Sequence, residues 1–169
     1  EKRRTKKMYD DRNFKGRGTR ENKNNNRNYQ EKTIVEKVPI ILDDDNYVEQ
    51  AEEVILSLIK KNGRNGILTT SKIRKLLSML SDIYTKVRHT RDDKLARAIL
   101  IRLQYFKLHT IYEAGRENGS RTPVKDFIEE AQLIEQIDNI KSDKNKLILF
   151  CHYMEALVAY RKYHGGRDE

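Results

Sequence analysis

Lysine and arginine side chains are the residues of this 169-residue chain whose type and spacing could do chemistry, and that chemistry is phosphate binding. Thr69-Thr70-Ser71 is a helix start signal. Lys72, Arg74 and Lys75 follow it directly, although the positive end of a helix dipole favours anions at this place. A locally unfavourable choice of residue often marks a functional site, so this run predicts contacts with nucleic-acid phosphates.

Further cations extend the predicted set of contacts with an RNA or DNA backbone along the chain. Lys86 lies about three helical turns after Lys75, so the two side chains share a helix face. Point charges with few exposed aromatic side chains favour sequence-independent binding to a nucleic-acid backbone. The alternative for any one cation is a solvated helix surface. As a set, however, they favour contact with an RNA or DNA backbone, and the predicted RNA-binding residues, should that nucleic acid be RNA, are Lys72, Arg74, Lys75, Lys86, Arg88, Arg116, Lys125, Arg161 and Lys162.

The sequence shows no catalytic or metal-binding pattern. No histidine has a His or Cys partner at metal-ligand spacing, and the four are His89, His109, His152 and His164. Glycine-rich phosphate loops and nucleophile motifs are missing as well. Cys151 and His152 are adjacent, and neighbouring helix residues point about 100° apart, which argues against a nucleophile–base pair. We therefore predict a protein that is not an enzyme and that uses no metal or cofactor.

Positive charge is concentrated near the beginning of the chain. Residues 1–37 hold 13 of the 35 Lys and Arg residues but only 6 of the 26 Asp and Glu residues, so they carry most of the net charge of +9. Residues 1–32 are polar and bury too little apolar area to offset their ordering entropy. We predict a basic, mostly disordered extension over residues 1–45, which either tracks phosphates or only keeps the protein soluble.

Residues 46–169 are expected to form one all-α domain, a compact bundle of about five helices. Apolar residues recur at steps of three and four, and polar start signals and glycines punctuate these stretches. The third helix is apolar on two sides, which indicates a central position in the bundle or a face shared with a partner. The predicted helices span residues 46–62, 70–88, 92–117, 123–140 and 143–164.

Local sequence signals predict where individual helices begin and which residues are buried. Asn46 and Glu49 have the spacing of a capping box, and Thr122 followed by Pro123 is expected to begin the fourth helix. Cys151 falls on the apolar stripe of the last helix, which predicts a reduced core thiol in a cytoplasmic protein. No apolar run approaches the ~18 residues of a membrane span.

Four motifs, in this order, resemble a known protein family: TTSKIRKLLS (69–78), IYEAGRE (111–117), VKDFIEEA (124–131) and YMEALVAYRKYHGG (153–166). They are similar to the small subunit of type III-A CRISPR effector complexes, and the similarity covers residues 46–168. The resemblance implies an all-helical, non-catalytic protein in antiviral defence. It also implies that several copies stack beside guide RNA paired to target RNA, next to the other subunits of the complex.

The resemblance places the RNA-facing cations on or near these motifs, and the chain departs from the family pattern at two places. The extension of 45 residues is longer than the usual lead, so its role is not inherited. His164 stands where the family more often has part of an aromatic pair. The cations implied by the resemblance are Lys72, Arg74, Lys75, Lys86, Arg116, Lys125, Arg161 and Lys162.

Two other functions remain open on the residues alone. The helices could bridge other proteins without touching nucleic acid, or the chain could be a DNA-binding helix-turn-helix regulator. The second would require a recognition helix with base-reading residues, and none stands out. A steep fall of RNA affinity with salt would separate RNA binding from pure scaffolding.

Overall fold

The described part of the chain, residues 38–117 and 119–165 of a computed structural model, forms six α-helices. The predicted all-α bundle is confirmed, with one helix more than the sequence indicated. Most of the predicted basic extension, residues 1–37, lies outside the described residues. In chain order the helices are α1 (Tyr47–Asn62), α2 (Thr70–Val87), α3 (Arg97–Gly115), α4 (Pro123–Glu130), α5 (Leu133–Ile140) and α6 (Lys144–Tyr163).

Helix α6 is the central element of the bundle and contacts α1, α2 and α5. Asp143 begins it, as predicted, by accepting hydrogen bonds from the N–H groups of Asn145 and Lys146. Cys151 is a buried free thiol on its apolar face. Burial, reinforced by the nearby Glu155 carboxylate, raises the pKa of this thiol to about 12, so it belongs to the core as the sequence indicated.

Helices α1 and α2 each bury one apolar stripe against α6. Gly63 ends α1 with a φ of 69°, a left-handed conformation that costs glycine little. Thr69 caps α2, because its hydroxyl oxygen accepts a hydrogen bond from Lys72 N–H at 3.4 Å. Both helix boundaries therefore lie where the sequence signals placed them.

The predicted capping box at the start of α1 is wrong. The Asn46 side chain makes no cap hydrogen bond to α1. Its Oδ1 atom instead accepts from Asp43 N–H at 2.9 Å, while its Nδ2 group donates to Ile41 O at 2.9 Å. Asp43 in turn accepts from Asn46 N–H at 2.8 Å, so a tight polar turn, rather than a box with Glu49, leads into the helix.

Helix α3 begins at Arg97, five residues later than predicted. The residues before it pair with the segment that leads into α6. Leu95 N–H donates to Ser142 O at 2.8 Å, and Lys144 N–H donates to Asp93 O at 3.0 Å. Residues 93 and 95 therefore form backbone hydrogen bonds with the segment before α6 rather than within a helix, which explains why α3 begins later than predicted.

One side of α3 packs into the bundle and the other side is exposed. Leu103 and Phe106 are buried, and the Phe106 ring lies edge-on to Phe150 with 6.3 Å between ring centroids. The second apolar side is 48–66 % exposed. The central position that the sequence left open for the third helix belongs to α6 instead. We call the exposed side the α3 apolar face, and it consists of Ile101, Tyr105, Leu108, Ile111 and Tyr112.

Helices α4 and α5 replace the single helix predicted over residues 123–140. Pro123 is the first residue of α4, as predicted, but α4 ends after eight residues, and Gln132 adopts a left-handed conformation with φ 49° and ψ 40°. The Gln132 amide donates to Val38 O at 2.7 Å and accepts from Ile40 N–H at 2.9 Å. The break thus lets one side chain hold the segment that precedes α1 against the bundle.

Candidate nucleic-acid interface

Three of the predicted RNA-binding cations converge where the start of α2 meets the end of α3. Lys75 Nζ lies 3.2 Å from Glu113 Oε1, and Arg116 Nη1 lies 3.4 Å from the same oxygen. Lys72 lines a small cavity together with Lys75 and Glu113. We call Lys72, Lys75 and Arg116 the α2–α3 cation cluster. The side chains of Lys75 and Arg116 are 59 % and 57 % exposed, so an external anion can reach both.

Glu113 lies beneath the cation cluster, and its side chain is only 19 % exposed. Partial burial raises the pKa of its carboxyl group, but the hydrogen bond from Lys75 and the positive charges of Lys75 and Arg116 act the other way. The net effect lowers the pKa of Glu113 below its ordinary value, so the group is a carboxylate at neutral pH. His109 Nε2 lies 3.5 Å from Glu113 Oε1.

Lys125, in the first turn of α4, lies near the cation cluster. Val124, its neighbour in the chain, lines the same cavity as the cation cluster. The Glu117 carboxylate accepts hydrogen bonds from the N–H groups of Val124 and Lys125, with N–O distances of 3.0 to 3.1 Å. Glu117 therefore caps α4, whereas Thr122 occupies the predicted N-cap position without a cap hydrogen bond from its side chain.

Arg161 contradicts its predicted role as an RNA contact, because it is 1 % exposed. Its Nε–H group donates to Leu68 O at 2.9 Å, and its Nη2 group donates to Arg64 O at 3.2 Å. Burial lowers the pKa of the guanidinium, which still remains charged at neutral pH. The signal for this burial was present in the sequence, since Arg161 continues the helical spacing of the buried residues Met154 and Leu157.

The other predicted cations are exposed but do not join the cation cluster. Lys86 lies about 16 Å from Lys75 along α2, at the far end of the helix. Arg88 lies beyond it, with its guanidinium carbon 5.9 Å from the centroid of the Tyr84 ring. Arg74 and Lys162 are exposed and interact with neighbouring groups. The structure therefore unites Lys72 and Lys75 of α2 with Arg116 at the end of α3, with Lys125 nearby on α4, and leaves the remainder dispersed.

Comparison with known proteins shows what kind of protein carries this arrangement. The model of the Csm2 type III-A family matches residues 43–167, which include all six helices and the cation cluster. This chain belongs to the Csm2 family. A Streptococcus thermophilus member named "CRISPR system Cms protein Csm2" is 46% identical over 128 residues, which are 76% of this chain and 98% of that protein.

Csm2 relatives from other bacteria are also similar to this chain. A Mycobacterium tuberculosis protein of the same name is 38% identical over 126 residues, or 74% of this chain and 96% of that protein. An Enterococcus italicus protein of that name is 41% identical over 106 residues, or 62% of this chain and 72% of that protein. The predicted family resemblance is confirmed.

Membership of the Csm2 family fixes the general role of the chain. It is a structural small subunit of a type III-A CRISPR complex, and the other subunits of that complex are its partners. Within residues 38–117 and 119–165, every helix is too short or too polar to span a membrane. The same residues contain no group of three His, Cys, Asp or Glu side chains arranged to hold a metal ion.

Sequence reasoning missed the two carboxylates that organise the Csm2 cations. Glu113 lies three residues before Arg116 and four after His109, the spacing at which helical side chains meet, so two of its contacts were predictable. Its bond to Lys75 joins residues 38 positions apart and carries no local signal. Glu117 caps α4 from seven residues before Val124, outside both α3 and α4, and helical periodicity does not describe such a contact.

Proposed function

We propose that this chain is a non-catalytic, RNA-binding small subunit that stacks in several copies along the guide–target RNA duplex of its type III-A complex. Its α2–α3 cation cluster contacts the target strand during antiviral defence. The observation that supports this proposal is the convergence of predicted cations from two helices at one exposed place. No catalytic step is assigned to the chain.

The geometry of the cation cluster suits phosphate. Lys75 Nζ and Arg116 Nη1 both reach one oxygen of Glu113, so they lie no more than about 7 Å apart. Donors at this separation can hold one phosphate group, or two successive phosphates of a strand, with charge-assisted hydrogen bonds. Contacts of this kind fix the register of a strand without reading its bases, so binding is independent of sequence.

The α3 apolar face supports stacking between copies. Five exposed apolar side chains on one helix side form a larger apolar surface than isolated exposed residues do, and such surfaces mark protein contacts. The Arg116 guanidinium carbon lies 5.8 Å from the centroid of the Tyr112 ring, so this face adjoins the cation cluster. Copies that meet through α3 would therefore bring their cation clusters close to one another along an RNA.

The α3 apolar face also favours the alternative function, a helical scaffold that contacts only proteins. In that case the cations keep the surface solvated and the extension over residues 1–45 only adds solubility.

In the RNA-binding proposal the same extension is a basic arm attached to a small-subunit domain of residues 46–169, in a cytoplasmic ribonucleoprotein. The salt dependence of RNA binding separates the two functions, because only phosphate contacts release counterions.

The test compares the wild-type chain with a Lys75→Gln, Arg116→Gln double variant. Removal of two phosphate contacts should make the negative slope of log affinity against log salt shallower by about 1.4 on single-stranded RNA. We expect binding at low salt to weaken about tenfold or more, measured by fluorescence anisotropy across a salt series.

The matched control is Lys94→Gln, Lys146→Gln, which removes the same charge near the starts of α3 and α6. Arg116 follows the other end of α3. Lys94 pairs with Asp143 through the backbone, and Lys146 lies in the first turn of α6. This control should keep the wild-type slope, and thermal melting should show that both variants are folded. Equal slopes for the two double variants would contradict the proposal and favour the scaffold.

A further inference from the structure

The cation cluster contains its own anion. Glu113 Oε1 accepts a hydrogen bond from Lys75 Nζ at 3.2 Å across the gap between α2 and α3. Arg116 Nη1 lies 3.4 and 3.5 Å from the two carboxylate oxygens. His109 Nε2 approaches the same carboxylate to 3.5 Å from one turn earlier on α3. The two cations that are best placed for a phosphate are therefore already engaged.

We propose that Glu113 limits the affinity of the free subunit for RNA. Its carboxylate stands in for a phosphate as the partner of Lys75 and Arg116 until RNA in the assembled complex provides a phosphate. This inference rests on the function proposed above. In the bound state a phosphate replaces the carboxylate as the partner of both cations, and Glu113 keeps its charge beneath them.

Two physical terms make Glu113 a restraint on binding. A phosphate at the cluster lies close to a fixed negative charge, and like charges repel over such distances even near a protein surface. Lys75 and Arg116 must also give up their ion pairs with Glu113, whose side chain is partly shielded from water because it is only 19 % exposed. Glu113 also holds the two cations near each other, but a neutral hydrogen-bond acceptor at this position would do the same.

Weak binding by each copy has a consequence for a stacked subunit. Several copies held side by side bind one RNA with a high effective concentration, so weak sites add up to tight binding. A single copy outside the complex gains nothing from this effect. Glu113 therefore biases the subunit towards RNA that runs along an assembled stack and away from stray RNA.

The experiment measures the binding of the full chain, as a free subunit, to single-stranded RNA across a salt series. The variant is Glu113→Gln, which keeps the shape of the side chain and an oxygen acceptor for Lys75 but removes the charge. We expect about threefold to tenfold tighter binding, because both cations are released from their ion pairs. The slope of log affinity against log salt should stay within about 0.7 of the wild-type slope, because Lys75 and Arg116 contact phosphate in both proteins and only the competing charge is removed.

The matched control is Glu135→Gln, an exposed residue of α5 that changes the net charge equally. It should bind within about twofold of wild type, since α5 contributes no residue to the cation cluster or to the lining of the cavity beside it. If Glu113→Gln matches this control, or binds more weakly than wild type, the inference is overturned while salt-dependent wild-type binding leaves the proposed function intact. If neither wild type nor Glu113→Gln binds RNA, both the inference and the proposed function are wrong.

Discussion

At the scale of single residues, the buried Arg161 ties the end of α6 to the loop that leads into α2. Its guanidinium donates to Leu68 O and Arg64 O, two carbonyl groups that no helix satisfies. Leu68 also lines the cavity beneath Lys72 and Lys75. A buried arginine thus fixes the place at which α2 starts and, with it, the first cations of the cluster.

An Arg161→Met variant should fold but lose stability. The substitution keeps the long apolar stem but leaves the buried Leu68 carbonyl and the partly buried Arg64 carbonyl without their charged donor. We expect the free energy of unfolding to fall by about 2–3 kcal/mol, measured by urea denaturation. The control Lys162→Met changes an exposed neighbour and should cost less than about 1 kcal/mol. Equal losses in the two variants would show that the Arg161 hydrogen bonds do not hold the loop.

The residue types that bind phosphate were predictable, but their environments were only partly so. Lys75 is exposed because the helical period places it off the apolar stripe of α2. Arg116 is exposed because it continues the solvent-facing side of α3, one turn after Tyr112. Arg161 falls on such a stripe, so its charge suggested an RNA contact while its position indicated burial. The position decided the outcome, because the guanidinium finds carbonyl partners inside the bundle that no local pattern reveals.

At the scale of helices, α3 differs from its neighbours in having apolar residues on two sides and burying only one. The periodicity of the sequence identified both sides correctly. It did not show which side faces the bundle, because that depends on α6 occupying the centre. The exposed side is the α3 apolar face, and its exposure supports a contact with another protein chain.

We expect the free subunit to self-associate through α3 as its concentration rises. The double variant Tyr105→Gln, Leu108→Gln should stay monomeric, because it breaks the centre of the apolar face without touching the core. Sedimentation velocity over a concentration series measures the difference. The control Val48→Gln, Leu56→Gln alters partly exposed apolar residues of α1 and should behave as wild type.

Two results of the sedimentation series would contradict this account of α3. A wild-type chain that remains monomeric at every concentration would show that the face is covered by a different protein. Association of the Tyr105→Gln, Leu108→Gln variant at wild-type strength would show that another surface joins the copies.

The division between α4 and α5 shows where helix prediction fails. No glycine or proline occurs at residues 131–132, and the apolar periodicity continues across them, so the sequence indicated one helix. Gln132 nevertheless takes a left-handed conformation, which is costly for a residue with a Cβ. Its amide donates to Val38 O and accepts from Ile40 N–H, and these bonds, which join residues more than 90 positions apart, offset that cost.

At the scale of the whole molecule, one end of the bundle gathers basic residues from distant parts of the chain. The start of α2, the end of α3 and the start of α4 surround one small cavity. The end of α6 reaches the same place through the bond between Arg161 and Leu68. The sequence indicated the helices and their cations separately, but the convergence arises from tertiary packing around α6.

This arrangement predicts which lysines target RNA covers in the assembled complex. Lys72 and Lys75 belong to the cation cluster, whereas Lys94 and Lys146 lie at the opposite end of α6. The four lysines can be compared within one sample by amine acetylation and mass spectrometry. The complex with guide RNA alone is the reference, because subunit contacts are then the same in both states.

Lysine acetylation with and without target RNA shows whether the cation cluster contacts the target strand. We predict that Lys72 and Lys75 lose most of their reactivity when target RNA binds, while Lys94 and Lys146 keep theirs. If Lys72 and Lys75 react equally in both states while the complex stays intact, the cluster does not contact the target strand.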